Sequence, residues 1–115
     1  WVVRGYQHEL RNEEKFPNVA CFIYDEGGPR GRVCSTGERA TWTSEGKQSH
    51  EQFVNEAEFQ SLFKLDDWND VVIVARGNHI QHFLNGELVV DFIDEAAERL
   101  LDGSLALQLH AGAPM

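Results

Sequence analysis

Three short apolar runs, residues 71–75, 80–84 and 88–92, are separated by two turn signals, Gly77-Asn78 and Asn85-Gly86. Asn-Gly lets both central residues of a two-residue turn take positive φ, which a type I′ hairpin turn requires. The runs have strand length, and the links between them are too short for crossover helices. The sequence therefore predicts an antiparallel three-stranded meander, and the rest of the chain must pack against it.

Upstream, residues 6–10 (YQHEL) alternate. Tyr6, His8 and Leu10 point one way, while Gln7, Glu9 and Arg11 point the other. Phe16-Pro17-Asn18 reads as a turn. Residues 19–24 (VACFIY) are apolar on both faces, as in a central, covered strand. Residues 25–32 form a Gly/Pro-rich loop, followed by a short strand around residues 32–35. Residues 36–52 are rich in Ser, Thr, Gly and Glu around Trp42, and read as loop with at most one short strand. Residues 55–63 place Phe59, Leu62 and Phe63 at helical spacing, with Asn55 as cap and Glu58 completing a capping box. A second short helix is expected over residues 95–101, ending at Asp102-Gly103. Residues 104–110 (SLALQLH) alternate again: Leu105, Leu107 and Leu109 inward, Ala106, Gln108 and His110 outward. Many strands and two short helices imply an all-β fold, an antiparallel sandwich.

At 115 residues the chain reads as one small domain, short for a complete two-sheet sandwich. Ten Lys and Arg against nineteen Asp and Glu leave a net charge of −9. Nucleic-acid binding needs clustered cations, so that partner is excluded. No run approaches the roughly 18 apolar residues of a membrane span. A neutral ligand or a plain solvated surface fits the charge. Cys21 and Cys34 would face each other if a hairpin turned at Gly27-Gly28, which leaves a cross-strand disulfide geometrically open. Pro29 fits poorly just after such a turn, which favours a wider loop and two buried free thiols.

Nucleotide, hydrolase and metalloprotease motifs are absent. What stands out is a pair of polar doublets at i, i+2: Gln7 with Glu9, and Gln108 with His110. If the two strands neighbour each other, a carboxylate, an imidazole and two amides share one surface. Such a set supplies a base, an acid and hydroxyl-orienting amides for a sugar. Solvated outer-face residues would give the same pattern. Arg76 and His79, beside the first meander turn, stand either as rim contacts or as an exposed strand-end arginine and a plain turn residue. Trp68 stands either as a sugar-stacking ring or as a core anchor. His8 and His82 share faces with apolar neighbours and read as core; His50 lies in a polar loop. No histidine pair has metal-ligand spacing, so no cofactor is expected, and a divalent metal would need ligands converging from separate elements.

The ordered motifs W-N-D-V-V-I-V-A-R-G-N-H-I, F-L-N-G-E, D-F-I-D and G-S-L-A-L-Q-L-H-A-G-A-P-M resemble the C-terminal half of the 3-keto-disaccharide hydrolase-like domain family. Upstream, G-Y-Q-H-E-L resembles that family's G-Y-E-x-Q-I strand, with Gln7 and Glu9 in swapped order. The resemblance implies a concanavalin A-like jelly roll with a sugar site on its concave sheet. It also implies that flanking strands of the family domain are missing here, so that open edges favour a homodimer. The implied chemistry is glycosidic cleavage of 3-keto sugars by elimination, then hydration. Glu9 and His110 would be base and acid, in either order, Gln7 and Gln108 would orient the sugar, and Arg76, His79 and Trp68 would line the rim. A noncatalytic carbohydrate-binding module is the alternative. The family's tendency to be exported implies the periplasm or cell exterior.

Overall fold

The computed structural model describes residues 2–11 and 15–108. In chain order its elements are β1 (Gly5–His8), β2 (Ile23–Glu26), β3 (Gly31–Cys34), β4 (Glu38–Thr43), β5 (Gly46–Gln52), α1 (Glu56–Leu62), β6 (Val71–Arg76), β7 (His79–Leu84) and β8 (Glu87–Asp94). The strands form two sheets, ordered β1-β2-β3 and β5-β4-β8-β7-β6. All pairings are antiparallel except β4 with β8. This is an all-β sandwich carrying one short helix.

The meander forms as the sequence predicts. Asn85 (φ 49°) and Gly86 (φ 89°) take the positive angles of the second turn, and β6, β7 and β8 pair in order. The inward residues of β7 and β8 meet the smaller sheet in a core of Ile23, Val33, Cys34, Ala40, Ile80, Val90 and Phe92. A second core gathers Phe59 of α1 with Val19, Ala20, Cys21, Val54, Leu84 and Val89. Asn55 caps α1 in a full capping box, its side chain accepting from the Glu58 amide while Glu58 accepts from the Asn55 amide.

Polar groups also tie the two sheets together. Arg30, in the β2–β3 loop, donates to Asp25 Oδ2 (3.0 Å) and to Asp94 Oδ2 at the end of β8 (2.7 Å). Tyr6 of β1 donates to the same Asp94 oxygen at 2.5 Å. Burial and the neighbouring Asp94 carboxylate push the Tyr6 phenol up to about 12. Deeper along β1, the His8 ring stands edge-on to that of His82, with the two Nδ1 atoms 2.9 Å apart. These contacts fix which face β1 turns inward, and so which side chains it presents outward.

Four expectations are corrected. Residues 36–52 hold two strands, β4 and β5, in a hairpin around Ser44-Glu45. β5 is an edge strand with most of its residues exposed, so it carries no apolar period to read. The covered strand expected at residues 19–24 begins only at Ile23. Cys21 has φ 84°, which no strand accommodates, although residues 19–22 are buried. The second helix is absent: residues 95–101 make a single turn, with the Arg99 amide donating to Ala96 O. Leu100 and Leu101 are exposed there, and so short a helix without a packing face is not stable. The closing strand is also absent over residues 104–108, which have no ladder partner among the described residues, and Leu105 and Leu107 face solvent. His110 lies outside the described residues. Cys21 and Cys34 are buried free thiols. Ile23, not Cys21, is the residue paired with Cys34.

Candidate functional site

Because Tyr6 and His8 point into the sandwich, alternation turns Gln7 and Glu9 onto the outer face of the smaller sheet. The register then selects their neighbours. Gln7 pairs with Tyr24, and Tyr24 pairs with Arg32, so the three side chains form a row across the sheet. Beyond β1, the Glu9 amide donates to Phe22 O at 3.1 Å, which extends the pairing by one more residue. Gln7, Glu9, Arg11, Phe22, Tyr24, Glu26 and Arg32 line an open groove of about 570 Å³, a volume within the range of small-ligand sites.

The Glu9 carboxylate is held at both oxygens. Gln7 Nε2 donates to Oε2 at 2.5 Å, and Arg11 Nε donates to Oε1 at 2.8 Å. The groove floor is Phe22, with the Arg32 guanidinium 4.1 Å and the Arg11 guanidinium 5.3 Å from its ring centre. Such stacking holds a planar cation in place while leaving its N–H edges able to bond. Gln7 Oε1 and Arg32 Nε have no hydrogen-bond partner among the described residues. Two carboxylates, Glu9 and Glu26, face two guanidiniums, so the groove is formally neutral despite the acidic chain. It offers one oriented base, cationic donors, a phenol and an amide, which together suit a neutral polyhydroxylated ligand.

The other residues singled out in the sequence lie elsewhere. Arg76 pairs with His79, and both stand on the outer face of the larger sheet, since Ile80 and His82 point inward. That face is on the opposite side of the sandwich from Gln7 and Glu9, so these residues do not form a rim to the groove. There His79 Nε2 contacts Asp91 Oδ1 at 2.5 Å, and Arg39 Nε donates to Asp91 Oδ2 at 2.8 Å. Burial opposes the Asp91 charge, but His79 and Arg39 outweigh it and hold the carboxyl below its usual range. Thr41 Oγ1 and His50 Nε2 are 2.7 Å apart on the same sheet. Trp68, in the loop before β6, is 90% exposed and anchors no core. Gln108 is exposed and outside any strand.

Arg32, Tyr24 and Glu26 were not singled out by the sequence pattern. Their signal was the pairing of β2 with β3 across the Gly27–Arg30 loop, and a register shift between Ile23 and Tyr24 concealed it. Among the described residues, no group of three or more His, Cys, Asp or Glu is placed to hold a metal ion. None of the helices there is long and apolar enough to cross a membrane.

One family model, described as the 3-keto-alpha-glucoside-1,2-lyase-like domain, matches residues 1–115. No curated protein and no solved structure matches the chain.

Proposed function

The chain belongs to the 3-keto-alpha-glucoside-1,2-lyase-like domain family, and from that premise we propose that its groove cleaves the glycosidic bond of 3-keto-glycosides with Glu9 as the base. The observation that carries this reading is the Glu9 carboxylate, held by Gln7 and Arg11 beside the stacked Arg32 guanidinium.

A ketone at C3 makes the C2 proton removable by a carboxylate. Glu9 takes that proton, and the electron pair of the C2–H bond forms an enolate whose charge rests on the C3 oxygen. A guanidinium N–H edge at Arg32 stabilises that oxyanion, as fixed donors do wherever charge develops. The enolate then collapses. A C1–C2 double bond forms, the C1–O bond to the aglycone breaks, and the departing oxygen takes a proton. His110, in phase with Gln108 in the sequence alternation, is the proposed proton donor. Gln7 and Gln108 are proposed to orient the sugar hydroxyls. Addition of water to the unsaturated product would complete a net hydrolysis. The ligand is accordingly a carbohydrate.

The test is product analysis by mass spectrometry after incubation with 3-keto-glucosides and with the matching unoxidised glycosides. Cleavage confined to the keto substrates is expected, with Glu9→Gln lowering kcat by about 10²–10⁴-fold, the usual contribution of a positioned general base. Cleavage of neither set by a folded sample, with sugar binding retained, would replace the lyase by a noncatalytic carbohydrate-binding module.

A further inference from the structure

Among the described residues the larger sheet has five strands and the smaller has three, so part of one inner face is left without a cover from them. Tyr6 and His8 of β1 reach β8 and β7 through Asp94 and His82, which places β1 across from the middle of the larger sheet. Beyond it lies β6. The inward residues of β6, the partners of Leu84, His82 and Ile80, are Val71, Ile73 and Ala75. Ile73 is 50% exposed, and Ala75 is exposed as well. The same flank carries an unpaired backbone edge, because among the described residues β1 has a partner on one side only. An apolar floor and a row of free peptide groups therefore lie side by side.

Residues 104–108 have the complementary pattern. Leu105 and Leu107 are fully exposed, at 105% and 97%, and alternate with Ala106 and Gln108. The chain also arrives at the right place, since a methyl of Leu100 lies 3.7 Å from where a Cβ on Gly5 would stand. Residues 101–103 are thus a short tether from the start of β1. Five residues in extended form span roughly 17 Å, enough to run the length of the four-residue β1.

We propose that residues 104–108 dock on the free edge of β1 as a fourth strand of the smaller sheet. Leu105 and Leu107 then cover Ile73 and Ala75, beside Val71, which already packs against the core around Phe59. Addition at β6, the free edge of the larger sheet, is disfavoured, because a strand there would widen the uncovered inner face instead of closing it. With the leucines inward, Ala106 and Gln108 face outward on the same side as Gln7 and Glu9. Docking therefore adds an amide to the groove and walls its open flank, which deepens the reading of the groove as a sugar site and rests on it for its functional meaning.

Hydrogen–deuterium exchange of the 115-residue chain, read by mass spectrometry on short peptides, tests the docking without any substrate. The expected result is that amides within 104–108 exchange at least about 10-fold more slowly than an unstructured peptide. In the double variant Leu105→Asp, Leu107→Asp, protection should be lost over residues 104–108 and reduced over β1, while β7 and β8 keep theirs as the control for folding. Free-peptide exchange over 104–108 in the parent chain would overturn the proposal. So would protection that appears only at concentrations where the chain sediments as a dimer, because the occupant would then be a second copy. A protected segment in a chain that cleaves no keto-glycoside would sink the proposed activity and leave the docking standing; cleavage with an unprotected segment would do the reverse.

Discussion

The pair His8 and His82 shows how burial decides a protonation state. His82 Nδ1 lies 2.6 Å from the Cys21 carbonyl oxygen. A carbonyl only accepts, so that nitrogen carries the proton, and His8 Nδ1 at 2.9 Å must present its lone pair. His8 is therefore neutral, with its proton on Nε2, which is buried without a partner among the described residues, and burial keeps His82 neutral as well. Both groups are lowered to about 4 from the usual 6.5, by burial at each and with a smaller contribution from His8 at His82. The sign of the linkage follows. Between those values the unfolded chain binds protons that the folded chain refuses, so acid favours unfolding. The stabilisation is complete above about pH 6.5 and is lost as pH falls toward 4. For His82 alone the full loss is on the order of 3 kcal/mol, at about 1.4 kcal/mol per pKa unit. Denaturant titrations at pH 7.5, 6 and 5 should give steadily falling midpoints; a flat profile across that window would refute the neutral pair. The upper part of the window is diagnostic, because Glu38 and Asp91, whose charged forms are favoured, lose their stabilisation only at lower pH.

At the scale of elements, the turn before β4 depends on one residue without a side chain. Gly37 has φ 81°, and a Cβ there would stand 2.2 Å from the Val54 carbonyl oxygen. The close approach is used: Gly37 N donates to Val89 O, and Gly37 O accepts from the Phe53 and Val54 amides. Gly37→Ala should cost several kcal/mol, of order 3, through backbone strain and overlap together. A melting curve displaced by less than about 3 °C would show that the turn relaxes. Asn55→Ala, which removes one arm of the capping box on exposed α1, should cost about 1 kcal/mol. The contrast between these elements explains what the sequence revealed. The meander and α1 were legible because their signals are local: turn residues, strand-length runs and a cap at fixed spacing. β5 was not, because an exposed edge strand such as GKQSHEQ has no face to bury. The Gln7–Glu9 doublet was legible from alternation alone. Arg32 and Tyr24 joined it only through a register that a wide loop determines, and Arg76 and His79 left it because period 2 fixes a face relative to a strand, not to a partner sheet.

The molecule as a whole is held in register by Arg30 as well as by its apolar layers. The guanidinium bridges Asp25 of the smaller sheet and Asp94 of the larger, with side-chain exposures of 7%, 8% and 1%. It also stacks near Tyr6 and Trp42, 5.8 and 5.5 Å from their ring centres. Burial alone would weaken its charge, but the bonds to Asp25 and Asp94 outweigh that and raise its affinity for the proton, so the cation is permanent. Asp94 is further engaged by the Ala96 amide through Oδ1, which sets the direction in which the chain leaves β8. The net gain from burying such a cluster is small, because desolvation offsets much of the attraction. Breaking it is another matter. Arg30→Ala leaves two buried carboxylates without a cation and should cost about 3–5 kcal/mol at neutral pH. Arg30→Lys keeps a cation beside both carboxylates but loses the planar stacking, so it should recover part of that loss in denaturant titrations at pH 7.5. A lysine variant no more stable than the alanine one would mean that Arg30 acts through its stacking on Tyr6 and Trp42, and that the sheets are joined by packing alone.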